Sequence, residues 1–180
     1  MKSLKWSDMG KIRIMKTLQK LIVKDLYHLD TTPPIIVQAG QDITHVIKQF
    51  AQQPTLRGLF VVDENKHLLG VITRRDLLDW ARIRVGATFR TSREFWLAED
   101  ARLIKIMVSS TGGDIVHPDS QKAYVKPEDT LAHALHVMIE YDLICLPVLD
   151  EAGQIIGDLK LTEILSRVVQ EEEAAEDTST

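Results

Sequence analysis

One pattern of strands and helices occurs twice in this chain, and this repeat constrains the fold more than any single motif does. Each copy contains two short apolar segments on either side of a polar turn, 63–66 in the first copy and 150–153 in the second. The turn aspartate precedes a strand glycine, Gly70 or Gly157, by seven residues in both copies, and the two glycines are 87 residues apart. The chain is therefore expected to fold as two related units.

Each copy predicts the order strand, helix, strand, strand, helix, because period-two and helical spacings of apolar residues alternate along it. In the first copy the segments are 34–37, a helix opened by 41–43, 58–62, 68–72 and a helix that runs from Thr73 through Trp80. In the second copy they are 122–125, a helix over 131–138, 145–149, 154–157 and a final helix that contains Ile164, Leu165 and Val168.

A sheet of this size cannot cover both of its faces, so such a unit needs a neighbour. We expect an α/β (α+β) protein in which two β-α-β-β-α units pack as a pseudo-two-fold pair, preceded by an N-terminal amphipathic helix. The predicted organisation is a basic N-terminal segment 1–17, a first unit 18–85, a linker helix 86–103, a second unit 104–170 and an acidic disordered tail 171–180.

Composition excludes several classes of protein. Hydrophobic residues make up 44% of the 180 residues and charged residues 27%, as in a soluble globular protein. Lys and Arg number 22 against 26 Asp and Glu, so no nucleic-acid partner is expected. No apolar stretch approaches the roughly 20 residues that cross a bilayer. The single cysteine, Cys145, lies in an apolar run and fits a buried position and a reducing, cytoplasmic setting.

The N-terminal segment is basic, with seven Lys and Arg up to Lys24 against Asp8 alone. Four apolar residues follow helical spacing within it: Ile12, Met15, Leu18 and Ile22. This pattern favours an amphipathic helix that packs on its own domain. The alternative is a helix that lies on a membrane surface or serves as a targeting segment.

The doubled unit and its segment Gly70-Val-Ile-Thr-Arg-Arg-Asp76 resemble a tandem pair of CBS domains, the module named after cystathionine β-synthase. The resemblance covers roughly residues 18–170, and the second copy adds Leu-Pro-Val-Leu-Asp at 146–150 ahead of its turn. Members of this family bind adenine nucleotides or related adenosyl ligands in the cleft between paired units. The resemblance implies a regulatory ligand such as AMP, ADP or ATP. We expect no further cofactor, and we expect the chain to form a homodimer as a second packing step after its two units pair.

The family motif is complete in the first copy. By resemblance, Asp76 accepts hydrogen bonds from ribose hydroxyls, and Thr73 places its hydroxyl near a phosphate at a helix start. Arg74 and Arg75 favour a ligand that carries phosphate, or else they form a solvated helix face. The spacing Thr-x-x-Asp is equally that of a capping box, in which both side chains only cap the helix.

The resemblance also implies walls for this first site. They come from residues before and within the first strand and from the second strand: Thr32, Pro33, Ile35, Leu59 and Phe60. Phe60 either stacks on a purine or packs in the core.

The second copy departs from the motif. Lys160 stands where the family has Thr or Ser, and Glu163 where it has Asp. Glu163 keeps the charge with a different reach, while Lys160 either holds a phosphate as a point charge or blocks the site. A second, weaker site is therefore expected at Lys160 and Glu163.

Signals for catalysis are weak. His133 and His136 are three residues apart on a predicted helix, a spacing that can bring two imidazoles near one metal, but no third ligand is spaced to join them. The apolar face of that helix places both histidines toward solvent or a dimer contact. The chain has no phosphate-binding glycine loop, dinucleotide fingerprint or nucleophile motif. We predict no catalytic residue and no metal site.

Three functions remain to be compared. The leading hypothesis is a stand-alone regulatory module that senses an adenine nucleotide or adenosyl ligand between its units and transmits the state to an unidentified partner protein. The alternative is a structural or protein-interaction module whose clefts hold no ligand. The third is a small enzyme whose His and Asp residues are brought together by the fold, and the sequence favours it least because it shows no assembled nucleophile, base or metal set.

Overall fold

The computed structural model describes residues 6–27, 33–86, 111–116 and 118–177. In chain order the elements are α1 (Trp6–Lys20), a 3₁₀ turn (Val23–Asp25), β1 (Ile36–Gln38), α2 (Ile43–Gln52), β2 (Gly58–Val62), β3 (Leu68–Thr73), α3 (Arg74–Gly86), α4 (Gly112–Ile115), a 3₁₀ turn (Pro118–Lys122), α5 (Leu131–Glu140), β4 (Cys145–Leu149), β5 (Ile155–Lys160) and α6 (Leu161–Asp177). This mixture of helices and small sheets confirms the predicted fold class.

The chain divides into two compact units. The first-copy unit runs from Pro34 to Lys122 and contains the first copy of the repeat. The second-copy unit combines Met1–Pro33 with Ala123–Thr180 and contains the second copy.

The first-copy unit is built on a three-stranded sheet in which β1 runs parallel to β2 and β2 antiparallel to β3. Helix α2 begins where the Asp42 carboxylate accepts the Thr44 N–H at 2.7 Å, which satisfies a donor that the first turn leaves open. Its buried face packs with the sheet in one apolar cluster. The buried members are Val37, Ile43, Val46, Phe50, Leu59, Val61, Ile72 and Ile115.

The second-copy unit repeats this hairpin register with β4 antiparallel to β5. Val125 takes the place of strand β1 and forms a parallel bridge to Val148. Its N–H donates to Pro147 O at 3.1 Å, and its carbonyl accepts from Leu149 N at 2.9 Å. The strand predicted over 122–125 is thus reduced to a bridge at Val125, and Lys122 instead ends a 3₁₀ turn.

Each unit also contains a short segment that precedes the other copy in sequence. In the second-copy unit Val23 N–H donates to Asp129 O at 2.9 Å and Lys24 N–H to Pro127 O at 3.0 Å. In the first-copy unit Gly112 N–H donates to Gln41 O at 2.8 Å and Gly113 N–H to Ala39 O at 2.9 Å. The two segments therefore make the same backbone contacts, one in each unit.

These contacts explain why the compact units differ from the boundaries predicted at 18–85 and 104–170. Residues up to Pro33 group with the second copy, and 111–122 group with the first, because each segment satisfies backbone groups there. The linker helix predicted over 86–103 lies outside the described residues beyond Gly86.

The N-terminal end of the chain agrees with the prediction, and the C-terminal end differs from it. The N-terminal helix is present as α1, and it buries Leu18 while Met15 remains 49% exposed. Helix α6 extends to Asp177, so residues 171–177 of the predicted disordered tail are helical. Arg13 of α1 forms a two-pronged ion pair with Glu172 of α6.

Candidate functional site

The candidate site begins where β3 passes into α3, at a turn called here the first corner, Thr73 to Asp76. The Thr73 N–H and hydroxyl both donate to Asp76 Oδ2, each at 2.8 Å. In return Thr73 Oγ1 accepts from Arg75 N at 3.2 Å and Asp76 N at 3.4 Å. The two motif side chains thus form the reciprocal bonds of a capping box. Asp76 is buried, at 8% exposed.

Arg74, for which the sequence left a phosphate contact or a solvated helix face open, is exposed and lies over the end of α2 and the segment that follows it. Its guanidinium donates to the carbonyls of Phe50, Gln53, Pro54 and Leu56 at 3.0 to 3.3 Å. The same group lies 5.3 Å from the centre of the Phe50 ring. The cation therefore satisfies one carbonyl in the last turn of α2 and three in the segment that follows it, and it complements the helix dipole. Arg75 points outward and is exposed.

The predicted wall residues fall into three groups. Thr32 lies outside the described residues, and Pro33 is exposed. The sheet brings Ile35 to Phe60, whose N–H donates to the Ile35 carbonyl at 2.9 Å. The side chains of Leu59 and Phe60 are at most 1% exposed, so Phe60 takes the buried alternative rather than presenting its ring.

The second corner, defined as Asp158, Lys160 and Glu163, lies where β5 passes into α6. Lys160 N–H donates to Glu163 Oε2 at 2.8 Å, as Thr73 N–H does to Asp76. The Lys160 ammonium lies 3.4 Å from Asp158 Oδ2 and 3.7 Å from Glu163 Oε1. The lysine side chain is 23% exposed and the two carboxylates 12% and 17%. The substituted motif therefore keeps the cap and adds a half-buried ion cluster.

Cys145 borders this cluster from β4, directly opposite Lys160 in the strand register. Its thiol donates to Asp158 Oδ2 at 3.3 Å. Burial, followed by the nearby Asp158 charge, raises the pKa of the Cys145 thiol well above its ordinary value. The protonated thiol is a weak donor and not a nucleophile.

The two helix histidines point away from the core, as the apolar pattern predicted. His133 and His136 are both exposed, and His136 pairs with Glu140 at 3.7 Å. Across the described part of the chain, no group of three or more His, Cys, Asp or Glu side chains is placed to hold a metal ion.

Sequence reasoning missed two contributors to these corners. Ser120, buried at 3%, accepts the Val71 N–H on its hydroxyl at 3.0 Å and so supports β3 two residues before Thr73. Asp158 stands at the position of Val71 in the other copy, and a charged residue where the first copy has an apolar one was the available signal. The role of the Asp158 carboxylate becomes evident only once the structure places Lys160 beside it.

Comparison with known proteins identifies the class. A family model described as "CBS domain" matches residues 23–82 and 113–170, which together exceed half of the chain. The chain therefore belongs to the CBS domain family and carries a tandem pair of these domains.

Solved structures agree with this class. A CBS domain-containing protein from Thermotoga maritima is similar with a TM-score of 0.63 and 25% identity, over 81% of this chain and 92% of that one. The structure of CBSX2 in complex with AMP gives a TM-score of 0.63 and 25% identity, over 83% and 97%. Protein MJ0100, in complex with 5′-methylthioadenosine and S-adenosyl-L-methionine, shares the fold with a TM-score of 0.55 and 20% identity, over 84% and 97%.

A curated relative is the magnesium transporter MgtE of Thermus thermophilus, 27% identical over 153 residues. The match covers 83% of this chain and 27% of the transporter, so the chain spans about a quarter of that relative. Among the described residues, no helix is both long and apolar enough to cross a bilayer.

Proposed function

We propose that this chain is a regulatory module that binds an adenine nucleotide or adenosyl ligand at the first corner, and that it is not an enzyme. The observation that carries the proposal is the complete family motif at that corner, with Thr73 and Asp76 brought within 2.8 Å at the start of a 13-residue helix. The similar CBSX2 structure, which holds AMP, supports the ligand class.

The Asp76 carboxylate suits a ribose. A carboxylate offers about four acceptor positions on two oxygens, so a carboxylate that caps a helix can also accept from vicinal hydroxyls. Adjacent hydroxyls that both donate to one carboxylate form charge-assisted bonds, which are stronger than neutral ones. In the proposed complex Asp76 therefore acts in both the cap and the ligand contact.

The start of α3 suits a phosphate. The amides of Arg75 and Asp76 point toward the Thr73 hydroxyl across long contacts of 3.2 and 3.4 Å. A phosphate oxygen is a stronger acceptor than a hydroxyl and complements the positive end of the helix dipole. We propose that the phosphate shares these amides with Thr73 and draws the exposed Arg75 toward it, with Ile35 beside the base.

A second function has a specific observation in its favour. Both motif side chains already complete a capping box, and Arg74 already bonds four carbonyls. A corner whose polar groups serve the fold in this way is what a protein-interaction module without a ligand would also show.

Thermal unfolding against AMP, ADP, ATP and S-adenosylmethionine, with GTP as the control ligand, separates the two functions. A ligand at 100 times its Kd adds about 2.7 kcal/mol to the free energy of unfolding, which raises Tm by about 5–10 °C in a chain of this size. Asp76→Ala must remove the shift. Glu163→Ala is the matched control, because it also loses a helix-capping carboxylate and must leave the shift in place. No shift from any adenine ligand would favour the interaction module.

We further propose that the module acts as a homodimer and passes its state to a partner protein. Leu165 and Val169 are 50% and 54% exposed on one face of α6, an arrangement that two copies can bury against each other. Sedimentation should show a dimer that Leu165→Glu dissociates, whereas Ser166→Glu, at the exposed neighbouring position, should not. Transmission requires that the ligand bind one arrangement of the assembly more tightly than another.

A further inference from the structure

The second corner differs from the first at three positions that lie together on the hairpin. Strand register places Gly58 opposite Thr73 in the first copy and Cys145 opposite Lys160 in the second. Val71, which is buried in β3, has Asp158 as its counterpart in β5. The second copy has thus exchanged a small, apolar and hydroxyl set for a thiol, a carboxylate and an ammonium.

These replacements depend on one another. The Asp158 side chain is only 12% exposed and pairs with the Lys160 ammonium at 3.4 Å, while the Cys145 thiol donates to the same oxygen. A half-buried carboxylate without such partners would be strongly destabilising. Lys160 is therefore the cation that allows two carboxylates to lie close together in this corner.

The Lys160 ammonium also pairs with the Glu163 carboxylate, which is the group that a ribose would need. Glu163 presents one oxygen to the Lys160 N–H at 2.8 Å and the other to the Lys160 ammonium at 3.7 Å. A ribose could bind this carboxylate only by displacing the ammonium, which would leave Asp158 without its cation. A phosphate here would also meet two carboxylates rather than one.

We propose that the Lys160 ammonium is a built-in occupant of the second corner that closes this copy to nucleotide, so that each chain binds one adenine nucleotide, at the first corner. The inference rests on the proposed function for the first site. Of the two roles open to Lys160, the proposal assigns it the one that blocks the site. The tandem pair is then asymmetric, because the first corner binds a nucleotide and the second does not.

The test is the number of AMP equivalents bound per chain, measured by equilibrium dialysis. The wild type should bind one equivalent, and Asp76→Ala should abolish it. The triple variant Asp158→Val/Lys160→Thr/Glu163→Asp gives the second corner the residues of the first, and it should bind two. The same triple variant combined with Asp76→Ala should bind one.

Two results would overturn the inference. In the first, the wild type binds two equivalents and loses one in Lys160→Met, so that Lys160 is a ligand contact. In the second, the triple variant folds and binds no more AMP than the wild type. If the wild type binds none while the triple variant binds one, the proposed function of the first corner fails and the role of Lys160 stands.

A stability cycle gives a readout without ligand. Lys160→Met keeps the aliphatic stem and removes the charge, and it should lower Tm by about 5 °C because two half-buried carboxylates lose their cation. In the Asp158→Val background the same change should lower Tm by less than half as much. Equal losses in the two backgrounds would show that the ammonium does not neutralise Asp158 and would overturn the proposal.

Discussion

At the end of its last strand the first copy places a hydroxyl, Thr73, and the second copy places an ammonium, Lys160. The backbone does the same work in both, because each residue's N–H donates to a carboxylate three positions on at 2.8 Å. The side chains do different work. The Thr73 hydroxyl exchanges bonds with its own helix, whereas the Lys160 ammonium joins Asp158 and Glu163.

The comparison separates what the fold requires from what a ligand would use. A carboxylate that caps the helix after the hairpin is common to both copies, so its presence alone does not indicate binding. The difference lies in the residues at the end of the strand, which are the neutral Val71 and Thr73 in the first copy and the charged Asp158 and Lys160 in the second. Variants that exchange or remove residues of one copy at a time test this division.

The largest effect is expected from the segments that precede each copy. Leu26, 2% exposed, lies in the second-copy unit although it precedes the first copy in sequence. Leu26→Ala should lower the free energy of unfolding by about 2–4 kcal/mol, because it empties a packed site. Hydrogen exchange should become faster in β5 and stay unchanged in β2 and β3.

Ile115 is the counterpart of Leu26 in the first-copy unit and is 1% exposed. Ile115→Ala should therefore accelerate exchange in β2 and β3 and spare β5. If each substitution loosened the copy that it precedes in sequence, the assignment of the two segments to these units would be wrong.

The next effect concerns Arg74, whose counterpart in the second copy is Leu161. Arg74→Leu should cost about 1–2 kcal/mol, since four carbonyls in the last turn of α2 and in the segment after it lose a charged donor. Chemical denaturation measures this loss, and Arg75→Leu, which changes the exposed neighbour, is the control. An Arg74→Leu variant with full stability and weakened AMP binding would reassign Arg74 to the phosphate.

Much of the fold was predictable because its signals are local. The predicted strands 58–62 and 145–149 coincide with β2 and β4, since both are apolar runs bounded by turn residues. The buried face of α2 was predicted from helical spacing. The proximity of Thr73 and Asp76 follows from their separation of three residues at a helix start.

The parts that escaped prediction depend on backbone groups or on distant residues. The bond from Val23 to Asp129 joins main-chain atoms more than 100 residues apart, and main-chain donors leave no mark in the sequence. The targets of Arg74 are likewise carbonyls. The roles of Asp158 and Lys160 emerged only when strand register placed Lys160 opposite Cys145 and the Cys145 thiol was found to donate to Asp158.

A smaller effect should come from the cap itself. Thr73→Val keeps the side-chain shape but removes the hydroxyl that bonds Asp76 and the amides of the first turn. The free energy of unfolding should fall by about 1 kcal/mol, the usual cost of a lost N-cap. Thr73→Ser retains the hydroxyl and should lose less than half as much. Equal losses would mean that the methyl group contributes as much to the stability of this corner as the capping hydroxyl does.

The smallest effect distinguishes the two hairpin turns. Lys66 and Gly153 occupy the same turn position and both adopt left-handed backbone, with φ of 66° and 77°. A residue with a Cβ is strained there by about 1 kcal/mol, whereas glycine adopts the conformation freely but loses more chain entropy on folding. Lys66→Gly should therefore stabilise the first-copy unit by about 0.5 kcal/mol, and Gly153→Ala should destabilise the second-copy unit by about 1 kcal/mol. Denaturant titration of both variants measures the sign of each change in the free energy of unfolding. A loss of stability in Lys66→Gly would show that the lysine side chain stabilises its turn by more than the backbone strain destabilises it.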